Sequence, residues 1–283
     1  MDNADSQLRA LTASLNDGKT HLLLACSGSV ATIKLPNIIQ AFSKYPSSQL
    51  SIRVILTPSA SRFLAGQSHE QPPVSALRSL PNVDAVDADE WETPWARGGG
   101  ILHIELRRWA DILVIAPLSA NTLAKIANGF ADSLLTSVVR AWDPWGELDV
   151  PRVTTSAPSS TAQEETERTA RPKKRRIMVA PAMNTAMWRH PVTAKQLRVL
   201  EEEWGVHRKT APKAQADDEL ARDTAVAEQT VPRSGAFEGG GSGWFEVLRP
   251  QRKVLACGDA GDGAMIEWPQ IVTAIEERLG LSA

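Results

Sequence analysis

The stretch Asp111-Ile-Leu-Val-Ile-Ala-Pro-Leu-Ser-Ala-Asn-Thr122 is a continuous apolar run, a proline stop and then a turn rich in hydroxyl and amide side chains. An apolar run without polar alternation is a strand buried on both faces, and such strands belong to parallel sheets covered by helices on each side. The pattern recurs on either side of it. Residues 21–27 (HLLLACS) end at Gly28, residues 51–57 (SIRVILT) run into Pro58-Ser59, and residues 176–181 (RIMVAP) end on a proline. Amphipathic stretches lie between these runs. Residues 33–43 align Leu35, Ile38, Ile39 and Phe42 on one face, and residues 123–139 and 193–204 repeat apolar side chains at helical spacing. Strands alternating with helices predict an α/β protein: a single Rossmann-like or flavodoxin-like domain, with a parallel sheet and helices on both faces. Ligands of such sheets sit beyond the carboxyl ends of the strands, so the turns after Ser27, Leu56, Ala116 and Ala180 become the candidate sites.

Composition narrows the function classes. The chain has 283 residues, a formal net charge of −2 and two cysteines, Cys26 and Cys257. That charge gives no general attraction to nucleic acid, and two distant cysteines build neither a disulfide framework nor a cysteine-rich metal site. No apolar run approaches the ~20 residues that cross a bilayer, and the acidic start at Met1-Asp-Asn-Ala-Asp lacks a signal-peptide pattern. The expectation is a soluble, cytoplasmic protein that engages neither nucleic acid nor membrane and holds no metal. Residues 152–175 and 211–250 are polar, rich in Ser, Thr, Pro, Glu and Gly, and are expected to be disordered insertions in one domain spanning 1–283. The basic run at 173–176 reads as solvated linker charge.

Five segments carry chemistry. Ala25-Cys-Ser-Gly-Ser-Val-Ala31 places a glycine and small hydroxyl residues where a strand gives way to a helix, an arrangement that binds phosphate through backbone N–H groups. It is not GxGxxG, and an ordinary turn with Ser29 as cap fits it equally well. Ser119, Asn121 and Thr122 repeat that chemistry after the third strand, and two such turns point to one phosphate-bearing cofactor spanning neighbouring strand ends. His103 follows Gly98-Gly-Gly100 and is either a structural residue at a helix start or a proton-transfer residue. Asn184, in Pro181-Ala-Met-Asn-Thr-Ala-Met-Trp188, is a cap or a ligand-binding amide. Leu255-Ala-Cys-Gly-Asp-Ala-Gly-Asp-Gly-Ala-Met265 carries too many glycines for a helix or strand; it reads as a flap delivering Cys257, against a surface turn with an incidental thiol.

Taken together, these segments resemble the homo-oligomeric flavin-containing cysteine decarboxylases, and among them the phosphopantothenoylcysteine decarboxylases of coenzyme A biosynthesis. The resemblance runs from Leu22 to about Met265. Its most specific parts are residues 103–122 (HIELRRWADILVIAPLSANT), residues 181–188, Ala256-Cys-Gly-Asp259 and Gly263-Ala-Met265. It implies FMN bound by Gly28, Ser29, Val30, Thr57, Ser59, Ser119, Ala120, Asn121, Thr122 and Ala182. It implies catalysis by His103 and Cys257, and substrate contacts from Asn184, Met187, Arg108, Ala256 and Met265, with Arg107 and Lys34 as further candidates for the substrate phosphate.

The implied reaction oxidises the substrate thiol with the flavin, loses carbon dioxide from the resulting thioaldehyde, and reduces the ene-thiol back to 4′-phosphopantetheine. The implied assembly is a homotrimer with active sites between chains. The rival reading, taken from fungal relatives of the same fold, is a regulatory subunit that inhibits a Ser/Thr phosphatase, or one member of a heterotrimer of paralogues. The presence of His103, Asn184 and Cys257 in one chain favours the enzyme.

Overall fold

The computed structural model describes residues 3–87, 95, 97–148, 175–206, 243–254 and 260–282. In chain order these form α1 (Asn3–Ala13), β1 (Thr20–Cys26), α2 (Leu35–Ala41), β2 (Leu50–Leu56), α3 (Pro58–Ser61), α4 (Val74–Leu77), β3 (Val83–Asp87), α5 (Leu102–Trp109), β4 (Ile112–Leu118), α6 (Ala120–Ala127), α7 (Leu134–Arg140), β5 (Arg176–Pro181), α8 (Thr185–Arg189), α9 (Pro191–Arg198), β6 (Phe245–Val247), β7 (Gln251–Val254), β8 (Ala260–Ala264) and α10 (Trp268–Leu279). A 3-10 turn, Val30–Lys34, precedes α2, and a π-helical turn, Val199–Glu203, continues α9.

The sheet is parallel, in the order β3-β2-β1-β4-β5-β6. Its strands divide their side chains by the two-residue period of a pleat. Leu22, Leu24 and Cys26 of β1 pack in one layer with Val114 of β4, Ile38 and Ile39 of α2 and Ile271 and Ile275 of α10. Leu23 and Ala25 face the opposite layer with Leu113 and Ile115 of β4, Leu106 and Trp109 of α5, Leu123 of α6 and Leu135 of α7. The four strands read from apolar runs are present, and so is the expected α/β class. A charged side chain also lies inside: Arg53 on β2 is 2% exposed and donates from Nε and Nη2 to both carboxylate oxygens of Asp87 on β3, at 3.2 Å each.

Three expectations change. Residues 123–139 are not one helix: Asn128 and Gly129, the latter at φ +74°, end α6, and Ser133 restarts the chain as α7 with a reciprocal cap to Thr136. The polar stretch expected over 211–250 ends sooner, because Phe245–Val247 returns as β6 beside β5; Phe245 is buried, and a triplet with one buried apolar side chain suffices for an edge strand. Residues 152–174 and 211–242 of the two expected insertions lie outside the described residues. The glycine-rich segment expected to contain no strand supplies β8, paired antiparallel with β7. Ribbon pairing uses backbone groups, which glycine offers as well as any residue.

The two parallel edges differ in what they hold. β1, β2, β4 and β5 end at the carboxyl edge. At the amino edge the Arg175 carbonyl, just before β5, accepts from Trp142 Nε1 at 3.2 Å. Beside it Gly243 N–H donates to the Gly205 carbonyl at 2.9 Å, and the rings of Trp204 and Trp244 stack at 5.9 Å.

Candidate functional site

Four turns meet at the carboxyl edge, and backbone hydrogen bonds join them in series. Thr57 N–H donates to the Cys26 carbonyl at 3.1 Å, tying β2 to β1. Ser27 ties β1 to β4: its N–H and Oγ–H donate to the Pro117 carbonyl at 3.0 and 3.1 Å, and its Oγ accepts from Ser119 N–H at 2.8 Å. Ala182 N–H donates to the Leu118 carbonyl at 2.9 Å, tying β5 to β4. This edge includes the point between β1 and β4 where strand order reverses, the ligand crevice of doubly wound sheets. Ser27 is fully buried, and its linking role was hidden in the sequence because both partners lie 90 or more residues away.

Each turn is stiffened by its own cap. Ser29 Oγ accepts from Ala31 N–H, Thr57 Oγ1 from Ala60 N–H, and Ser119 Oγ from Thr122 N–H. Thr57 and Ser59 share a hydroxyl contact of 3.1 Å, and Ser119 donates to Thr122 Oγ1 at 3.2 Å. The capping reading of these turns holds: each cap fixes its turn at the carboxyl edge. Gly28 makes the approach possible, since a Cβ there would stand 2.6 Å from Ser59 Oγ and 2.7 Å from Ser59 Cβ. Val30, Ser59 and Asn121 are exposed, Ala120 is half-buried, and Ser119, Thr122 and Ala182 are buried. Cys26 is buried and donates to the Ala116 carbonyl at 2.9 Å; burial pushes its thiol pKa well up, so it is a strand residue and no nucleophile.

The β5–α8 turn carries Asn184, which caps α8 by accepting from Met187 N–H at 2.8 Å through Oδ1. Its Nδ2 has no protein partner among the described residues, which leaves an amide donor for a ligand. Met187 is 52% exposed, not core filler, and borders a groove of about 340 Å³ with Ala120, Ala124, His190, Val192 and Gln196. The ribbon of β7 and β8 docks on this turn: Met183 N–H donates to the Gly263 carbonyl at 3.0 Å, and Met265 is buried just beyond. Gly263 has no room for a side chain, with Met183 O 2.4 Å from the position a Cβ would take. Ala256 and Cys257 lie outside the described residues.

His103 stands in the first turn of α5, half-buried, and Gly100 before it packs beside Leu8 of α1. α5 lies against α1 and α7, whereas α8, which Asn184 opens, lies against β8 and α9. Arg107 is buried, its carbonyl accepting from Arg175 at 2.7 Å, so it does not serve as a surface anion contact. Arg108 is exposed and paired with Glu105 at 3.0 Å. Lys34 is half-buried at the end of the 3-10 turn that follows Ser29.

Comparison with known proteins shows the family. The model of the family described as Flavoprotein matches residues 11–228. The chain belongs to the Flavoprotein family. Among its relatives, a phosphopantothenoylcysteine decarboxylase of Arabidopsis thaliana is 33% identical over 94% of this chain and 88% of its own length. The phosphopantothenoylcysteine decarboxylase subunit SIS2 of Saccharomyces cerevisiae is 31% identical over 94% of this chain and 41% of its own. The chain spans 30 to 37% of the length of three other fungal relatives, each 33 or 34% identical to it. Two solved structures share the Flavoprotein fold seen here. A PPC decarboxylase cysteine-to-serine mutant complexed with pantothenoylaminoethenethiol has a TM-score of 0.58 at 32% identity, over 93% of this chain and 100% of that one. The FMN binding protein AtHal3 has a TM-score of 0.56 at 32% identity, over 94% and 99%.

Proposed function

We propose that this chain decarboxylates 4′-phosphopantothenoylcysteine to 4′-phosphopantetheine, a step of coenzyme A biosynthesis, with FMN held at the carboxyl edge of the sheet. The observation that carries the reading is the hydrogen-bonded series of turns from Thr57 through Ser27 and Ser119 to Ala182, continued by the Asn184 turn on which the ribbon docks. Its support from outside is the 33% identity to the Arabidopsis decarboxylase over nearly the whole of both chains.

The residues fit FMN. Gly28, Ser29, Val30, Thr57, Ser59, Ser119, Ala120, Asn121, Thr122 and Ala182 would hold it through backbone N–H groups and hydroxyls, on turns that the missing side chain of Gly28 lets close on each other. When bound, FMN supplies the reversible two-electron oxidation of the thiol-bearing carbon, which gives the neighbouring carboxylate the electron sink that a saturated carbon lacks. The chain's own residues bind and move protons. Asn184 Nδ2 donates to the substrate carboxylate or amide and fixes its orientation. The His103 imidazole accepts the substrate thiol proton. Cys257 donates the proton that completes the product. Met187 and Met265 with Ala256 enclose the apolar part of the substrate, and Arg108, with Lys34, meets its phosphate.

The site is completed between chains of a homotrimer. Supporting this, α5 with His103 and α8 with Asn184 pack in different neighbourhoods, and the groove at Met187 and Val192, which are 52% and 45% exposed, lies open beside the α6 turn. One Saccharomyces cerevisiae relative is a decarboxylase subunit, which favours a second reading in which paralogous chains complete the trimer. Among the described residues no helix is long and apolar enough to cross a membrane. The working compartment is the cytoplasm.

The test is purification followed by a flavin spectrum, the molecular mass in solution and carbon dioxide release. His103→Asn should keep FMN and lose turnover. Cys257→Ser should release carbon dioxide yet accumulate oxidised product. A colourless protein recovered with a phosphatase catalytic subunit would reverse the assignment.

A further inference from the structure

The geometry points to Arg189 and Asp262 as a latch that holds the β7–β8 ribbon on the Asn184 turn, making both positioning residues for substrate binding; this use of the latch rests on the decarboxylase reading. Arg189 ends α8, the short helix that Asn184 opens, and Asp262 is the middle residue of β8. Both Nε and Nη2 of Arg189 donate to Asp262 Oδ2, at 3.2 and 2.8 Å. Arg252 of β7 approaches the other oxygen at 3.7 Å, so Asp262 lies between one arginine from its own ribbon and one from the helix opposite. The Arg189 hydrogen bonds foremost, then its charge and that of Arg252, hold the Asp262 carboxyl below the usual carboxylate range.

The pair adds a charged side-chain attachment to a ribbon otherwise seated by its backbone and by the burial of Ala264 and Met265. The adjoining contacts are Met183 N–H to the Gly263 carbonyl at 3.0 Å and the closeness of Gly263 to the Asn184 carbonyl and Trp188 Cβ, 3.3 and 3.0 Å from where a Cβ would lie. Glycine at 261 and 263 keeps the ribbon thin enough to reach the turn, and it also removes side chains that would otherwise grip it. A two-stranded ribbon is marginally stable by itself, so its seat depends on the partner surface. The Arg189–Asp262 pair supplies that attachment from side chains, immediately beside the amide that meets the substrate.

Two alternatives make opposite predictions. A latch requires both partners, so Arg189→Ala and Asp262→Asn should each raise KM for 4′-phosphopantothenoylcysteine about two- to fivefold, the range of an exposed pair, with kcat nearly unchanged. The double variant should be no worse than either single one. If the cluster instead attracts the anionic substrate, Arg189→Ala raises KM while Asp262→Asn lowers it, which overturns the latch. Hydrogen exchange on the full chain without substrate provides a readout independent of activity. The Met183 amide should exchange faster in both single variants, and wild-type protection there in either would also overturn the proposal. If the wild type does not decarboxylate while Met183 exchange responds as expected, the decarboxylase reading fails and the latch stands.

Discussion

At Gly28 the missing side chain matters because two turns from neighbouring strands approach to within contact there. A methyl group would meet both heavy atoms of the Ser59 side chain at under 3.0 Å, where no rotation of Ser59 relieves the Cβ contact. Gly28→Ala should therefore separate the β1 and β2 turns and weaken FMN binding at least tenfold, by flavin fluorescence titration, at an overpacking cost of about 1–3 kcal/mol. Adding Ser59→Gly should restore most of the loss, and failure to restore it would place the cost elsewhere. This glycine, the turn hydroxyls and Asn184 were legible in the sequence because each belongs to a local pattern at a strand end. Ser27 and the Arg189–Asp262 pair were not, because their meaning lies in partners far along the chain.

At the scale of elements, β1, β2, β4 and β5 were legible because central parallel strands are buried on both faces and leave uninterrupted apolar runs. β3 (VDAVD) and β6 (FEV) escaped notice for the opposite reason: edge strands are short and carry carboxylates, here Asp87, which pairs with buried Arg53, and Glu246, which pairs with Arg278. The break between α6 and α7 was written locally as Asn128-Gly129 followed by Ser133, yet apolar periodicity ran across it. Ser133 Oγ accepts from Thr136 N–H, and Thr136 Oγ1 accepts from Ser133 N–H. Ser133→Ala should cost about 1 kcal/mol. In a domain of this size that lowers the melting temperature by about 2–4 °C per kcal/mol. Calorimetry that finds no change would show that α7 is held by its buried face alone.

At the scale of the whole molecule, one source of acid sensitivity lies at the amino edge. The buried ring of His21 stacks on Trp109 at 4.1 Å, and its two nitrogens face the Trp109 carbonyl and Asp17 Oδ1, both at 2.9 Å and both acceptors. Burial alone would raise the Asp17 carboxyl, but the Lys19 backbone N–H and the charge and ring N–H of His21 bring it below the usual range. A carboxylate depressed in the fold stabilises above its unfolded pKa of about 3.9, and that contribution is lost as pH falls through the folded value. Asp17→Asn should therefore lower the melting temperature at neutral pH, with the gap to wild type closing below about pH 4. Equal gaps at both pH values would rule out this role for the pair.

Leu148 and Arg175, and Val206 and Gly243, share this amino edge, roughly 20 Å along the strands from the turns of the candidate site. For anyone labelling the molecule, that spacing is an address: a fluorophore, affinity handle or surface tether on Leu148, which is 71% exposed, stands at the edge opposite the candidate site. A chain tethered there keeps its carboxyl-edge turns on the side away from the support.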